Sequence, residues 1–356
     1  MGAASPRRTR APSERRFILE TLGFCDANAG VSHIVETLID RIRSRGVGQN
    51  PLINPFWQNE LGALAKAFSD ENFAYKGIRK RMGYNTRKLA PDTGGNRDQR
   101  PWPVIMRAVD TGDVSDLGKI RDFVGQLSFL KRHDLLDEFV DWSDERGLAC
   151  DLNLGRYWWY RRKLLAKLEQ KEIAIEGAYL EVGAGSGRMP LMYEELGIAK
   201  HFIIVDLPEM LLNVSLLLAE ERPDTPVRLG EVPDLSAPPG FWLLETSEIS
   251  MVPAGTVGIA VNINSFMEMD GEVRDFYIDE FYRILRPGGI FFNVNRRQSE
   301  MSQRDGSTFD SNPLLYPYRG TDRVIDWEID DCQMCCKSST FFSPASWAVL
   351  RIAQVV

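Results

Sequence analysis

The sequence predicts an α/β chain, with a doubly wound parallel sheet over residues 177–356 behind a mostly helical domain over 17–176 and a disordered basic tail over 1–16. Three observations carry this. From Ala178 onward, short apolar strands alternate with helical stretches, the rhythm of consecutive βαβ units. A glycine-rich turn, Glu181–Arg188, closes the first of those strands, at the carboxyl end, where such folds bind ligands. The length of 356 residues, with 44% hydrophobic and 26% charged, suits two globular domains and excludes wholesale disorder.

In the helical part, Ile34, Leu38, Ile39 and Ile42 recur at helical spacing, as do Leu61, Leu64, Ala65 and Phe68 before a break at Ser69-Asp70. Residues 91–103 are rich in Gly, Pro, Asp and Asn and read as a loop. Helices are expected over Val104–Val109, Leu117–Phe139 and Arg156–Gln170. In the sheet part, strands are expected at Tyr179–Val182, Phe202–Val205, Phe241–Leu244, Val257–Ile263 and Ile290–Val294. Helices between them start near Met189 and span Pro208–Glu221 and Glu272–Leu285.

Charge and composition remove whole classes of function. The net charge of -7 and pI near 5.3 argue against a general nucleic-acid binder, which needs clustered cations to neutralise phosphate. The five arginines of residues 1–16, against one Glu14, run counter to that average. Leu211–Ala219, the longest apolar run, holds Asn213 and Ser215 and is too short for a membrane span. No apolar stretch follows the N-terminal arginines before Phe17, so no secretory signal is read and a cytoplasmic location is expected. An odd set of cysteines (Cys25, Cys150, Cys332, Cys335, Cys336) fits a reducing compartment. Cys332, Cys335 and Cys336 lack a nearby second Cys/His pair, and His33, His133 and His201 are scattered, so no metal is expected.

The turn Glu181-Val182-Gly183-Ala184-Gly185-Ser186-Gly187-Arg188 can be sorted by spacing. A nucleotide P-loop needs Gly-Lys-Ser/Thr after four intervening residues, and that is absent. A dinucleotide fingerprint read from Gly183 places its third small residue at Arg188, which is too large to pack helix on strand. The third glycine falls one position early, and an acid stands two residues before the first. This E-x-G-x-G-x-G pattern resembles motif I of class I S-adenosyl-L-methionine-dependent methyltransferases. Two further features agree with it. Asp206 ends the second strand nineteen residues after Gly187, where a carboxylate can accept ribose hydroxyls and also cap the helix at Pro208. Leu285-Arg286-Pro287-Gly288-Gly289 precedes the last predicted strand, as in that superfamily.

A narrower resemblance is to the sugar O-methyltransferases. It rests on Asp206-Leu207-Pro208-Glu209, on Asn262-Ile263-Asn264-Ser265-Phe266-Met267-Glu268-Met269, and on Asn295-Arg296. The glycine turn departs from the GGGYGG-like form of that family. The resemblance implies a Rossmann-like methyltransferase sheet that binds S-adenosyl-L-methionine and methylates a hydroxyl of a sugar or glycosylated small molecule, in secondary metabolism. It implies Glu181, Gly183, Ala184, Gly185, Gly187, Asp206 and Leu207 as cofactor-binding residues, with Asn262; Tyr160 is added to them from its place on the aromatic helix just before the sheet. A non-sugar O-, N- or C-methyltransferase and a non-catalytic subunit that binds the cofactor are the alternatives. A homo-oligomer is compatible with either.

Methyl transfer to a hydroxyl needs an aligned acceptor and a base within reach of its proton. Glu268, after the predicted fourth strand, is the expected base, and Asn264 and Ser265 are expected to orient the acceptor. Glu268 is equally readable as a carboxylate at a helix N-terminus. Tyr157 or Tyr160 is expected to face a ligand, with Trp158 and Trp159 packing the helix. Tyr316, Tyr318 and Arg319 lie in a late loop that reads first as core or surface packing and second as a lid.

Overall fold

The computed structural model describes residues 29–46, 102–113, 121–145, 152–297, 300–302, 308–330 and 348–356. The basic tail, the run from Leu61 to Phe68, residues 91–101 and all five cysteines lie outside these. The helices of the N-terminal part are α1 (Ala29–Arg45), α2 (Trp102–Thr111), α3 (Arg121–Arg132), α4 (Leu136–Glu145) and α5 (Leu152–Gln170). Trp102 and Pro103, read from sequence as loop, open α2. The helix expected over Leu117–Phe139 is instead two, because the backbone reverses at Asp134 with φ 56°. His133 sits in that reversal and packs at a tilt against Phe129 and Trp159, 4.5 and 4.8 Å between ring centres.

The sheet part runs β1 (Ala178–Val182), α6 (Arg188–Glu194), β2 (His201–Asp206), α7 (Pro208–Glu221), β3 (Val227–Leu229), β4 (Gly240–Glu245), β5 (Val257–Ile263), α8 (Gly271–Ile284) and β6 (Leu285–Arg296). β9 (Arg323–Asp330) and β10 (Ala348–Gln354) complete an eight-stranded sheet, and β7 (Glu300–Ser302) pairs with β8 (Thr308–Asp310) apart from it. The order is β3-β4-β2-β1-β5-β6-β10-β9. β3 through β6 are parallel, and β10 is antiparallel to both its neighbours. The chain leaves β1 toward β2 and returns on its other side as β5, so the topological switch point lies between β1 and β5. The Leu285-Arg286-Pro287-Gly288-Gly289 turn is a bulge within β6: Val257 pairs with Leu285, but Ile259 already pairs with Ile290.

Helices cover both faces, as buried parallel strands require. Alternate side chains of each strand enter two separate cores. Tyr179, Phe202, Ile204, Ile259 and Phe292 face a core shared with α1 and with the described parts of α2 to α7. Leu180, Val205, Ala260 and Phe291 face a second core with α8, Phe266 and Tyr316. The spacing read from sequence for α1 holds, with Ile34, Leu38, Ile39 and Ile42 all in the first core. Among the described residues no helix is long and apolar enough to cross a membrane.

Candidate active site

The glycine turn leaves β1 at the switch point. Gly183, Gly185 and Gly187 all have positive φ (78°, 56° and 75°), a conformation that L side chains disfavour. Space forbids a side chain as well at the first of them. A Cβ on Gly183 would lie 2.2 Å from the Ser265 hydroxyl oxygen, so this turn and the one after β5 are in contact. At Gly187 it would press on Val214 and Leu217 of α7. Gly187 is therefore the residue that lets the start of α6 pack on α7. Arg188, the position a dinucleotide site keeps small, is buried and paired with Glu221 of α7 at 2.5 Å.

Asp206, at the end of β2, closes this turn from the neighbouring strand. One carboxylate oxygen accepts the Gly185 N–H at 2.8 Å and the other accepts its own neighbour Leu207 N–H at 2.8 Å. Each oxygen keeps a lone pair for a further donor. Leu207 caps α7 with extended backbone, and Pro208 follows at the first helical position. The N-cap of that helix is thus Leu207 and not Asp206, whose carboxylate bonds the glycine turn and the Leu207 N–H instead.

Glu181 stands on β1 in the same cluster. Its side chain is buried and accepts a 2.8 Å hydrogen bond from the Tyr179 hydroxyl. Burial pushes Glu181 up to about 8, with the Asp206 charge adding to it and the Tyr179 bond opposing. Burial likewise pushes Asp206 up to about 7, against the two backbone N–H bonds. The Tyr179 and Tyr193 hydroxyls are held well above their ordinary range by burial and then by Glu181. Two desolvated carboxylates side by side favour protonation or a cationic ligand. The sequence reading missed Tyr179, although two residues before Glu181 on a strand means the same face.

The turn after β5 carries the remaining expected residues. Asn262 is fully buried; its amide nitrogen donates to the Val182 carbonyl at 3.0 Å and to the Ser265 hydroxyl at 2.5 Å. Ser265 in turn donates to the Val182 carbonyl at 3.1 Å. These two side chains are turned onto β1, and their contacts are with the protein. Asn264 adopts a left-handed φ of 57°, and its side-chain amide N and O are buried with no partner among the described residues. Such strain in a non-glycine residue concentrates at functional sites. Glu268 ends the short 3₁₀ turn Phe266–Glu268 and is half-buried. Tyr160 is fully buried in the core between α5 and the sheet. Ala184 is buried within the glycine turn. In the late loop, Tyr316 is buried against Phe266 and Ser311, and Arg319 lies over Tyr282. Among the described residues no group of three or more His, Cys, Asp or Glu side chains is arranged to hold a metal.

No protein-family model and no curated protein sequence matches the chain. Solved structures do match. A geranyl diphosphate C-methyltransferase from Streptomyces coelicolor, solved with S-adenosyl-L-homocysteine, is 13% identical with a TM-score of 0.37, over 54% of this chain and 76% of its own. An S-adenosylmethionine-dependent methyltransferase from Clostridium acetobutylicum is 13% identical with a TM-score of 0.36, over 56% and 92%. The cyclase SpnF is 17% identical with a TM-score of 0.37, over 55% and 80%. Likeness at this level says nothing of this chain's substrate. The α/β fold rests on its own strand order, with the switch point between β1 and β5.

Proposed function

We propose that the chain binds S-adenosyl-L-methionine and transfers its methyl group to a hydroxyl of a small molecule, a sugar or glycoside. The observation that carries the cofactor is the pairing of the positive-φ glycine turn with Asp206 across the switch point. The two buried carboxylates, Glu181 and Asp206, suit a ligand that bears an ammonium and a sulfonium. Asp206 retains acceptor lone pairs for ribose hydroxyls. Arg188 at the position of the third small residue disfavours a dinucleotide.

The cofactor supplies a methyl carbon made electrophilic by a positively charged sulfur. Glu268 would take the proton of the acceptor hydroxyl, and the sulfur would leave as a neutral thioether when its bond to the methyl carbon breaks. Asn264, with its strained backbone and unengaged amide, orients the acceptor. The acceptor class is supported by the resemblance of the segments around Asp206 and Asn262–Met269 alone. The helical segment 17–176 is proposed as the cover of the acceptor pocket, supported by α1 reaching Glu245 at the same edge of the sheet as Asp206.

Calorimetric titration with S-adenosyl-L-homocysteine and with NAD tests the cofactor. Binding of the first and not the second is expected, and Asp206→Ala should weaken it by about ten-fold or more, as loss of charged hydrogen bonds implies. Incubation of methyl-labelled cofactor with glycosylated metabolites, read by mass spectrometry, tests the acceptor. Label only on nitrogen or carbon would remove the hydroxyl reading. Glu268→Gln should lower turnover and leave homocysteine-analogue affinity unchanged.

A further inference from the structure

Three asparagines stand side by side beneath the turn that carries Asn264 and Glu268. Asn262 of β5 is in register with Asn293 of β6, and Asn295 lies two residues further on the same face. All three are fully buried, a costly place for an amide unless it is bonded. Asn295 donates to the side-chain oxygens of Asn262 at 3.0 Å and Asn293 at 2.8 Å, and accepts the Met267 N–H at 3.0 Å. Asn262 accepts the Phe266 N–H at 3.1 Å while donating to Val182 and Ser265. Asn293 donates to the Tyr318 hydroxyl at 2.8 Å.

The turn itself explains the need. A 3₁₀ turn of three residues cannot satisfy its own leading N–H groups. Here the Glu268 N–H finds the Ser265 carbonyl, but those of Phe266 and Met267 are taken by Asn262 and Asn295. Asn295 must accept from the turn and donate twice to its neighbours. A carboxylate of the same size would accept only, and an apolar side chain would do neither. The same network presses Ser265 against Gly183, so it joins the turn after β5 to the glycine turn.

We infer that Asn295 is a positioning residue. Through Asn262 and the Met267 amide it holds the 264–268 turn and the Ser265–Gly183 contact in the geometry that binds the cofactor. This rests on the cofactor reading above. Asn295 is fully buried and bonded to Asn262, Asn293 and Met267, so its role is exerted through those residues.

The test is titration of S-adenosyl-L-homocysteine into the full chain carrying Asn295→Leu or Asn295→Asp, with thermal unfolding in parallel. Ile352→Ala, in a buried strand position on the other face of the sheet, controls for lost stability. Asn295→Leu is expected to weaken binding about ten-fold, while Ile352→Ala lowers the unfolding temperature with affinity unchanged. Asn295→Asp should bind more tightly than the leucine variant at about pH 6, where a buried carboxyl is neutral and donates one of the two bonds, and approach the leucine variant at about pH 9. Should the leucine variant not fold, the pH dependence of the aspartate variant, taken as a ratio to wild type, decides alone. Affinity equal to wild type in folded Asn295→Leu, or a flat ratio for Asn295→Asp, overturns the inference. A wild-type chain that binds no homocysteine analogue overturns the cofactor reading and this inference with it.

Discussion

Glu181 and Asp206 give the site its pH dependence. In the folded chain they are pushed up to about 8 and about 7, whereas exposed carboxyls titrate near 4. Between those limits the folded chain holds protons that the unfolded chain has released. Stability therefore falls as pH rises through that window. The unfolding temperature should be higher at about pH 5 than at about pH 8.5, and Glu181→Gln should flatten the slope. A cationic ligand favours the charged carboxylates, so S-adenosyl-L-methionine should bind more tightly as pH rises and release protons on binding. Titration in buffers of different ionisation enthalpy checks this. A second residue-scale prediction concerns Gly183, where positive φ and the Ser265 contact both forbid a side chain. Gly183→Ala should abolish cofactor binding, and adding Ser265→Gly should restore part of it, leaving a backbone strain of about 1–2 kcal/mol.

At the scale of elements, α1 is fastened to the sheet by charge. Arg41 bonds Glu245 at 2.7 Å, and Arg45 pairs with the other Glu245 oxygen. The Glu245 side chain is only 2% exposed, while the two arginines are 30% and 48% exposed. Replacing both arginines with alanine leaves a buried carboxylate without its cations. That should cost about 1–3 kcal/mol in urea unfolding, and Glu245→Gln in the same background should recover part of it. The elements that the sequence reading omitted fail for identifiable reasons. β10 is apolar except for its last residue, Gln354, and Arg351, which is buried, paired with Asp322 at 2.6 Å and lies 4.0 Å over the Tyr318 ring. A lone arginine reads as surface until its partner from another segment is known. β9 does alternate, with Ile325, Trp327 and Ile329 at even spacing, but Trp327 and Ile329 are substantially exposed at the sheet edge. β3 is three residues long, below what any periodicity resolves.

The whole molecule is built around one face of the sheet that the N-terminal helices complete. Tyr157, Trp158 and Leu164 of α5 share a core with Tyr179, Phe202 and Ile204 of the sheet. Lys163 and Lys167 of α5 also pair with Glu328 and Asp326 of β9 at its far edge. A chain beginning at residue 177 would expose that face and should aggregate or remain unfolded. The full chain should unfold in a single transition by circular dichroism, with tryptophan fluorescence of the α5 residues following the same curve.

What the residues alone determined is local. A turn that needs positive φ at three positions within five residues favours glycine at each, and an acid two residues before it shares the strand. The succession of strands and helices then determines the switch point. Hence the glycine turn, Asp206 and the fold class were legible, as was the segment around Asn262–Glu268. The tertiary structure alone decided what each polar group faces. Asn262 and Ser265 both bond the Val182 carbonyl, and Asn295 holds the Met267 amide. Arg41 finds Glu245 across 204 residues. Such pairings depend on which strands become neighbours, a property of topology that no local spacing encodes, because an amide or a charge has the same sequence signature whether its partner is a ligand, the backbone or water.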